Sequence, residues 1–321
     1  MDVRHMGRSQ HRILWAAGLA LAAALAVGAP VSPAQTAATA ARSIQVGGRP
    51  RTYLLHTPGT YPQGRPAGLV IALHGGGGMG RHMERLSGLS PLADREGFVV
   101  AYPDAVDRNW NDGRETPTIP AQAQNVDDVG FIAALITALT REFSLDGRRV
   151  YATGISNGAF MSQRLAAELG DRIAAIAPVV GGMAPRVRDH FAPPGPVSVL
   201  VMNGTDDPLV PYQGGAVARD RGQTIPVPEI VRLWVRHNRC GVAAETERLP
   251  DRDAGDGSRV RRDTYGGCAA RTSVVLYTIE GGGHTWPGGA QYLPVAIIGR
   301  TNRDIDATRV IWEFFAAHPR R

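Results

Sequence analysis

Two cysteines in 321 residues, Cys240 and Cys268, exclude a disulfide-dense scaffold. Neither has paired ligands nearby, which makes a zinc site a poor fit. In an exported chain the pair is expected as one disulfide, two free thiols being the other reading. No apolar run reaches the length of a spanning helix, so stable membrane insertion is not expected. There is no dense Lys/Arg cluster and no nucleic-acid motif. The nearest approach, Arg259, Arg261 and Arg262, reads as a solvated strand or loop. Internal repeats and heptads are missing, which excludes solenoids and coiled coils. No Thr-rich linker or appended polymer-binding domain is present, which counts against attack on a dense crystalline polymer.

What is present starts with an export pattern. Arg4, His5, Arg8 and Arg12 precede an apolar stretch from Ile13 to Val27, and Ser32-Pro33-Ala34 offers small residues for cleavage. Residues 1–34 therefore read as a signal peptide, residues 35–43 as a flexible leader, and 44–321 as one catalytic domain, secreted or periplasmic. The formal charge is +6; residues 1–34 carry three Arg and one Asp, or +2, leaving +4 on the rest. That balance favours anionic substrates or surfaces. Composition is ordinary globular, with 43% hydrophobic and 20% charged residues, while 39 Gly and 23 Pro point to abundant loops.

Apolar runs of strand length recur at Leu69–Leu73, Phe98–Pro103, Arg149–Thr153, Ile173–Val180, Val197–Met202 and Val274–Ile279. Helical patterns stand between them: Met83–Glu96, Asn125 to about Phe143, Ala159–Leu169, Glu229–Asn238 and Asp306–Ala317. Continuous apolar strands suit burial on both faces, and the alternation predicts an α/β fold with a mainly parallel sheet. Ile44 to Leu55 reads as two short strands turned at Gly47-Gly48, and Arg248 to Tyr265 as a hairpin around Gly255-Asp256-Gly257.

Gly154-Ile155-Ser156-Asn157-Gly158 lies between a strand and a helix. The pentapeptide alone is either a glycine turn whose serine caps a helix or a nucleophile elbow. Three other stretches bear on the choice. His74-Gly75-Gly76-Gly77-Gly78 follows a buried strand and could present backbone N–H groups to a developing negative charge; His74 itself is expected to be architectural. Asp206-Asp207 follows the next strand after the elbow helix region, and His284 the last. The order Ser…Asp…His, each at a strand C-terminal end, is that of an α/β-hydrolase. Asp127 and Asp128 are expected to cap a helix rather than to act in catalysis.

These stretches resemble a family. Leu73-His74-Gly75-Gly76-Gly77, Gly154 to Ala159, Asn203-Gly204-Thr205-Asp206-Asp207-Pro208-Leu209-Val210-Pro211-Tyr212 and Gly283-His284-Thr285-Trp286-Pro287-Gly288 are similar to those of secreted polyhydroxybutyrate depolymerases and feruloyl or acetylxylan esterases. Asn125 to Ile132 also matches a helix start of that family. The resemblance implies an α/β-hydrolase with helices on both faces of the sheet. It implies Ser156 as nucleophile, Asp207 rather than Asp206 as acid, His284 as base, and N–H groups of Gly76 and Asn157 as oxyanion donors. It also implies a disulfide that Cys240 and Cys268 could match. Where the family often has His, this chain has Asn203, which is expected to alter local hydrogen bonds.

No metal or organic cofactor is implied. The expected substrate is a polymeric or oligomeric ester, either a short-chain polyhydroxyalkanoate or a feruloyl or acetyl ester of a polysaccharide. Hydrolases of this resemblance that degrade poly(aspartic acid) supply the alternative, a polyanion drawn to arginines. A secreted binding module without a reactive serine is the alternative of another class. Trp110, Trp286 and Tyr292 are candidate aromatic walls of the substrate cleft, or else loop anchors.

Overall fold

The computed structural model describes residues 37–59 and 66–321. The expected signal peptide, 1–34, lies outside them, as do residues 60–65 of the loop after Pro58. The strands run β1 (Ala38–Val46), β2 (Arg49–Thr57), β3 (Leu69–Leu73), β4 (Val99–Pro103), β5 (Val150–Ile155), β6 (Ala175–Val179) and β7 (Ser198–Gly204). Then come the two-residue β8 (Gly215–Ala216) and β9 (Gln223–Thr224), β10 (Glu245–Arg248), β11 (Arg259–Tyr265) and β12 (Val274–Glu280). The helices are α1 (Gly80–Ser87), α2 (Leu89–Glu96), α3 (Pro120–Ala123), α4 (Asp128–Glu142), α5 (Asn157–Leu169), α6 (Pro185–Asp189), α7 (Val227–His237), α8 (Val295–Ile298) and α9 (Ala307–Ala317).

Ten strands form one sheet in the order β1-β2-β4-β3-β5-β6-β7-β12-β11-β10. The stretch from β4 to β12 in that order is parallel, and antiparallel pairs close both edges. This is an α/β-hydrolase fold. Alternation along β3 shows why its run is apolar throughout: Leu69, Ile71 and Leu73 enter one core, Val70 and Ala72 the other. The first core takes Phe131 and Ile132 of α4, Leu165 of α5 and Trp234 of α7. The second takes Met83, Leu92, Ile311 and Phe315 from α1, α2 and α9. Stacked rings, Phe98 on Trp312 and Tyr151 on Phe315, fasten α9 to the sheet. Burying each such ring contributes roughly 2–3 kcal/mol.

Two expectations need correction. Residues 38–43 are not a flexible leader: Ala38 to Ser43 pair in register with Thr57 to Thr52. Their run of Ala, Thr, Arg and Ser has no large apolar residue to show an alternation, but the edge of β2 needs only their backbone groups. Residues 83–96 are not one helix. Gly88 stands in the left-handed region at φ 59° and ends α1, and α2 restarts at Leu89.

The arginine trio lies on β11, the strand next to the edge strand β10, where Arg259 pairs with Asp251, Arg261 with Asp263, and Arg262 with Glu247. Cys240 and Cys268 form a disulfide that ties the end of α7 to the loop before β12. No helix among the described residues is long and apolar enough to cross a membrane.

Candidate active site

β5 delivers Ser156 to the C-terminal edge of the sheet, and α5 begins at the next residue. Ser156 has φ 57° and ψ −121°, a conformation that L residues rarely hold. Such strain persists only where the surroundings impose it. The turn is tight enough that a Cβ on Gly158 would lie 2.3 Å from the carbonyl oxygen of Leu73 and 2.6 Å from that of His74. Both contacts are backbone, so only glycine fits.

His284 follows β12. Its Nδ1–H donates to Oδ2 of Asp207 at 2.7 Å, and both side chains are buried. Oδ1 of Asp207 accepts the N–H groups of Leu209 (2.8 Å) and Val210 (2.9 Å), which fixes the carboxylate in the turn after β7. Asp206 points elsewhere: it is exposed and accepts from the Thr205 hydroxyl. The Tyr292 hydroxyl donates to the carbonyl of His284 at 2.7 Å. Burial first, and the charge of Asp207 second, push that phenol up to about 12.

Ser156 and His284 line one cavity of about 430 Å3. Gly75, Gly76 and Asn157 share it. A Cβ on Gly75 would sit 3.4 Å from that of Ser156, so the glycine loop passes directly over the elbow. Gly77 N–H is taken by Arg108 O and Gly78 N–H by Gly75 O. Among the described residues the N–H groups of Gly75 and Gly76 have no such backbone acceptor. The N–H of Asn157, at the positive end of a 13-residue helix, completes a set of donors suited to an oxyanion.

His74 holds the glycine loop. Ala105 N–H donates to Nε2 at 3.1 Å, so Nδ1 carries the proton and donates to Gly75 O at 2.8 Å. Burial lowers its pKa to about 4, against a smaller opposing effect of the Gly75 hydrogen bond. The ring is therefore neutral near pH 7.

The family model for esterase PHB depolymerase matches residues 52–188. The chain is 36% identical over 296 residues, 88% of its own length and 84% of its relative's, to the esterase-named NocK of Nocardia uniformis subsp. tsuyamanensis. The chain belongs to the PHB depolymerase esterase family. It is also similar to feruloyl esterase D of Neurospora crassa, at 26% identity over 84% of this chain and 83% of the relative. An acetyl xylan esterase from Aspergillus awamori aligns over 87% of this chain and 99% of its own with a TM-score of 0.57. At 15% identity that likeness shows the fold alone.

In this esterase two of the three aromatic candidates are not cleft walls. Trp110 is fully buried below the elbow: its indole N–H donates to His74 O (3.0 Å) and its backbone N–H to Asn157 Oδ1 (2.7 Å). It thus ties the glycine loop to the start of α5. Trp286 is buried against α9, its indole N–H on Thr308 Oγ1. Both lie outside the cavity lining, so both are anchors. Tyr292 lines the cavity and is 42% exposed. Asn203, in the place of the family's His, donates through Nδ2 to Gly181 O at 2.9 Å, next to the elbow.

Sequence reading missed a buried network around Asn157. Its Nδ2 donates to Asp112 Oδ2 at 2.6 Å, and Asp112 accepts a two-point contact from Arg114. The Arg114 guanidinium lies over Phe160, 4.4 Å from the ring centre, and its Nη1 donates to Arg221 O. It also missed the strap around β8 and β9, whose Val217, Ala218 and Arg221 face the cavity. Gly214, Gly215 and Gly222, all at positive φ, bracket that strap and were the available signal. Asp128 does more than serve a helix start, which Asp127 caps through Gly130 N–H. It pairs with buried Arg51 at 2.6 Å and accepts Asn111 N–H at 2.7 Å.

Proposed function

We propose that this esterase works as a secreted serine hydrolase through an acyl-enzyme, on oligomeric or polymeric esters. The observation that carries the reading is the Asp207–His284 hydrogen bond opening onto a cavity shared with Ser156 on its strained turn. His284 takes the proton of Ser156 Oγ as Oγ bonds to the ester carbonyl carbon. The N–H groups of Asn157 and Gly76 hold the oxyanion. The carbon–oxygen bond to the alcohol breaks, and His284 returns the proton to that alcohol. Water, deprotonated by His284, then releases the acid and restores Ser156.

Two features support a large substrate of short acyl units. Met83, Leu86, Val210 and Val217 give the cavity an apolar wall. At its mouth Tyr292 and Leu293 are exposed, with exposed Val295 and Ile297 beyond them, so a chain can continue out of the cleft over apolar surface. A short-chain hydroxyalkanoate polymer or a feruloyl or acetyl polysaccharide ester fits this shape. The N-terminal pattern of residues 1–34 and the disulfide support export. The placement of Ser156, Asp207 and His284 on one sheet supports a single catalytic domain. A second reading, amide cleavage in poly(aspartic acid), is favoured by Arg221 at the cavity.

Parallel turnover of hydroxybutyrate oligomers, methyl ferulate and poly(aspartic acid) by wild type and Ser156→Ala tests the proposal. Ester turnover that vanishes in Ser156→Ala is expected. Turnover near wild type in that variant would end the assignment.

A further inference from the structure

Building on the serine-esterase reading, we propose that Arg221 is a substrate anchor that selects esters carrying a free carboxylate a short spacer away from the scissile carbonyl. Two arginines line the catalytic cavity, Arg114 and Arg221. Their charges are spent differently. Arg114 is buried and committed to Asp112 by paired contacts. Arg221 is half-buried and has no carboxylate partner among the described residues. Its Nη2 instead donates to the neutral Asn109 Oδ1 at 2.8 Å. That contact leaves the positive charge uncompensated and aims it.

The aim is toward the reacting centre. Both Nη atoms of Arg221 come within 3.5 and 3.6 Å of the position a Cβ would take on Gly76. The neighbouring Gly75 in turn abuts Ser156. The guanidinium therefore overhangs the oxyanion loop. Its backbone is held there twice, by Arg114 Nη1 on Arg221 O and by Arg221 N–H on Val217 O. A planar fork fixed in place matches a carboxylate better than a mobile ammonium would.

The surrounding field has the same sign. His82 lines the cavity, and its pKa is lowered first by burial and then by the charges of Arg81, Arg85 and Arg108, with Asp104 opposing. None of those three arginines is ion-paired among the described residues. No carboxylate lines the cavity among the described residues, and Asp207 behind His284 is occupied by that ring and two backbone N–H groups. A substrate anion thus meets a cationic rim and one fixed guanidinium next to the oxyanion loop.

The short reach between Arg221 and the glycine loop selects a short spacer. The free-acid end of a hydroxyacid oligomer has this form, with its carboxylate one monomer from the last ester. Recognition of that end makes the enzyme act on terminal units of short chains rather than at random along a neutral polymer.

The test uses the linear 3-hydroxybutyrate dimer as free acid and as its methyl ester. Wild type is expected to prefer the acid, mainly through KM, with the preference falling as salt is raised. Arg221→Gln should reduce the acid-over-methyl-ester ratio of kcat/KM by about 10- to 100-fold, the scale of a lost charge-assisted hydrogen bond. Arg221→Lys should keep a larger share of the preference than Arg221→Gln. A wild type indifferent to the carboxylate, an unchanged ratio in Arg221→Gln, or equal losses in the Gln and Lys variants would overturn the proposal. Methyl-ester turnover and fluorophosphonate labelling of Ser156 in wild type report on the serine-esterase reading separately.

Discussion

The carboxylate of Asp207 reaches His284 Nδ1 at 2.7 Å while its other oxygen is clamped by the N–H groups of Leu209 and Val210. The clamp explains why the aspartate must be followed by an extended turn, and why Asp206, one residue earlier, cannot substitute. An amide in place of Asp207 keeps one oxygen for that clamp but no longer imposes the Nδ1–H tautomer on His284. Asp207→Asn should fold like wild type by circular dichroism and lose roughly 10^4-fold in kcat on p-nitrophenyl acetate. A loss under tenfold would contradict a triad built on this pair.

The proposed oxyanion donor Asn157 has its side chain fixed by Asp112 at 2.6 Å. Replacing Asp112 by Asn weakens that hold and leaves the buried Arg114 without its counter-charge. Asp112→Asn should lower kcat roughly 10- to 100-fold, as displacement of a positioned group does, with less change in KM. An effect confined to KM would instead show a role in substrate binding.

A methyl group at Gly158 collides with the carbonyl oxygens of Leu73 and His74, neither of which can swing aside alone. Gly158→Ala should cost about 1–3 kcal/mol of stability in urea unfolding. It should also reduce activity even where the protein stays folded, because the displaced atoms lead into the glycine loop proposed to hold the oxyanion. Full activity in the folded variant would show that the elbow and the loop are not mechanically linked.

His74 gives the stability a pH dependence of known sign. Its folded pKa of about 4 lies below the ordinary value of 6.5, because burial disfavours the charged ring. The unfolded chain therefore binds more protons between those values. The stabilisation is complete above pH 6.5 and is lost as pH falls toward 4, about 3 kcal/mol in all. Urea midpoints at pH 7 and pH 4.5 should show this loss in wild type and a smaller one in His74→Gln. Equal losses in both would assign the acid sensitivity to other groups.

Arg51 and Asp128 form a buried pair, with the guanidinium also 3.9 Å from the centre of the Phe131 ring. Removing one partner strands the other charge. Asp128→Ala should destabilise the protein by about 3–5 kcal/mol, measured by urea unfolding; a change under 1 kcal/mol would contradict a buried, uncompensated Arg51.

The legible parts of the molecule were those written in local pattern. β3, β5 and β7 announce themselves as apolar runs, and Ser156, Asp207 and His284 each stand a residue or a few beyond a strand. Tertiary demands were less visible. Ala38–Ser43 pair as an edge strand through backbone groups alone, which no side-chain periodicity encodes. In sequence Trp286 sits beside His284 and Trp110 in the middle of a long polar connection, so each reads as a cleft aromatic or a loop anchor. Only their buried N–H partners, His74 O and Thr308 Oγ1, show that they face inward. Asp112, Arg114 and Arg221 are up to a hundred or so positions apart in sequence yet meet around Asn157 and the glycine loop. Charges in polar loops carry no mark of which are spent on one another, so the difference between the two cavity arginines, Arg114 paired and Arg221 not, emerges only from the packed structure.

Ser156 is proposed as the residue acylated during turnover. Intact-mass and peptide mapping after brief treatment with a fluorophosphonate measure this directly. One adduct per chain is expected, on the peptide carrying Ser156, absent in Ser156→Ala and abolished in wild type by prior unfolding. A folded wild-type protein that takes no adduct, or takes it on another residue, would contradict it.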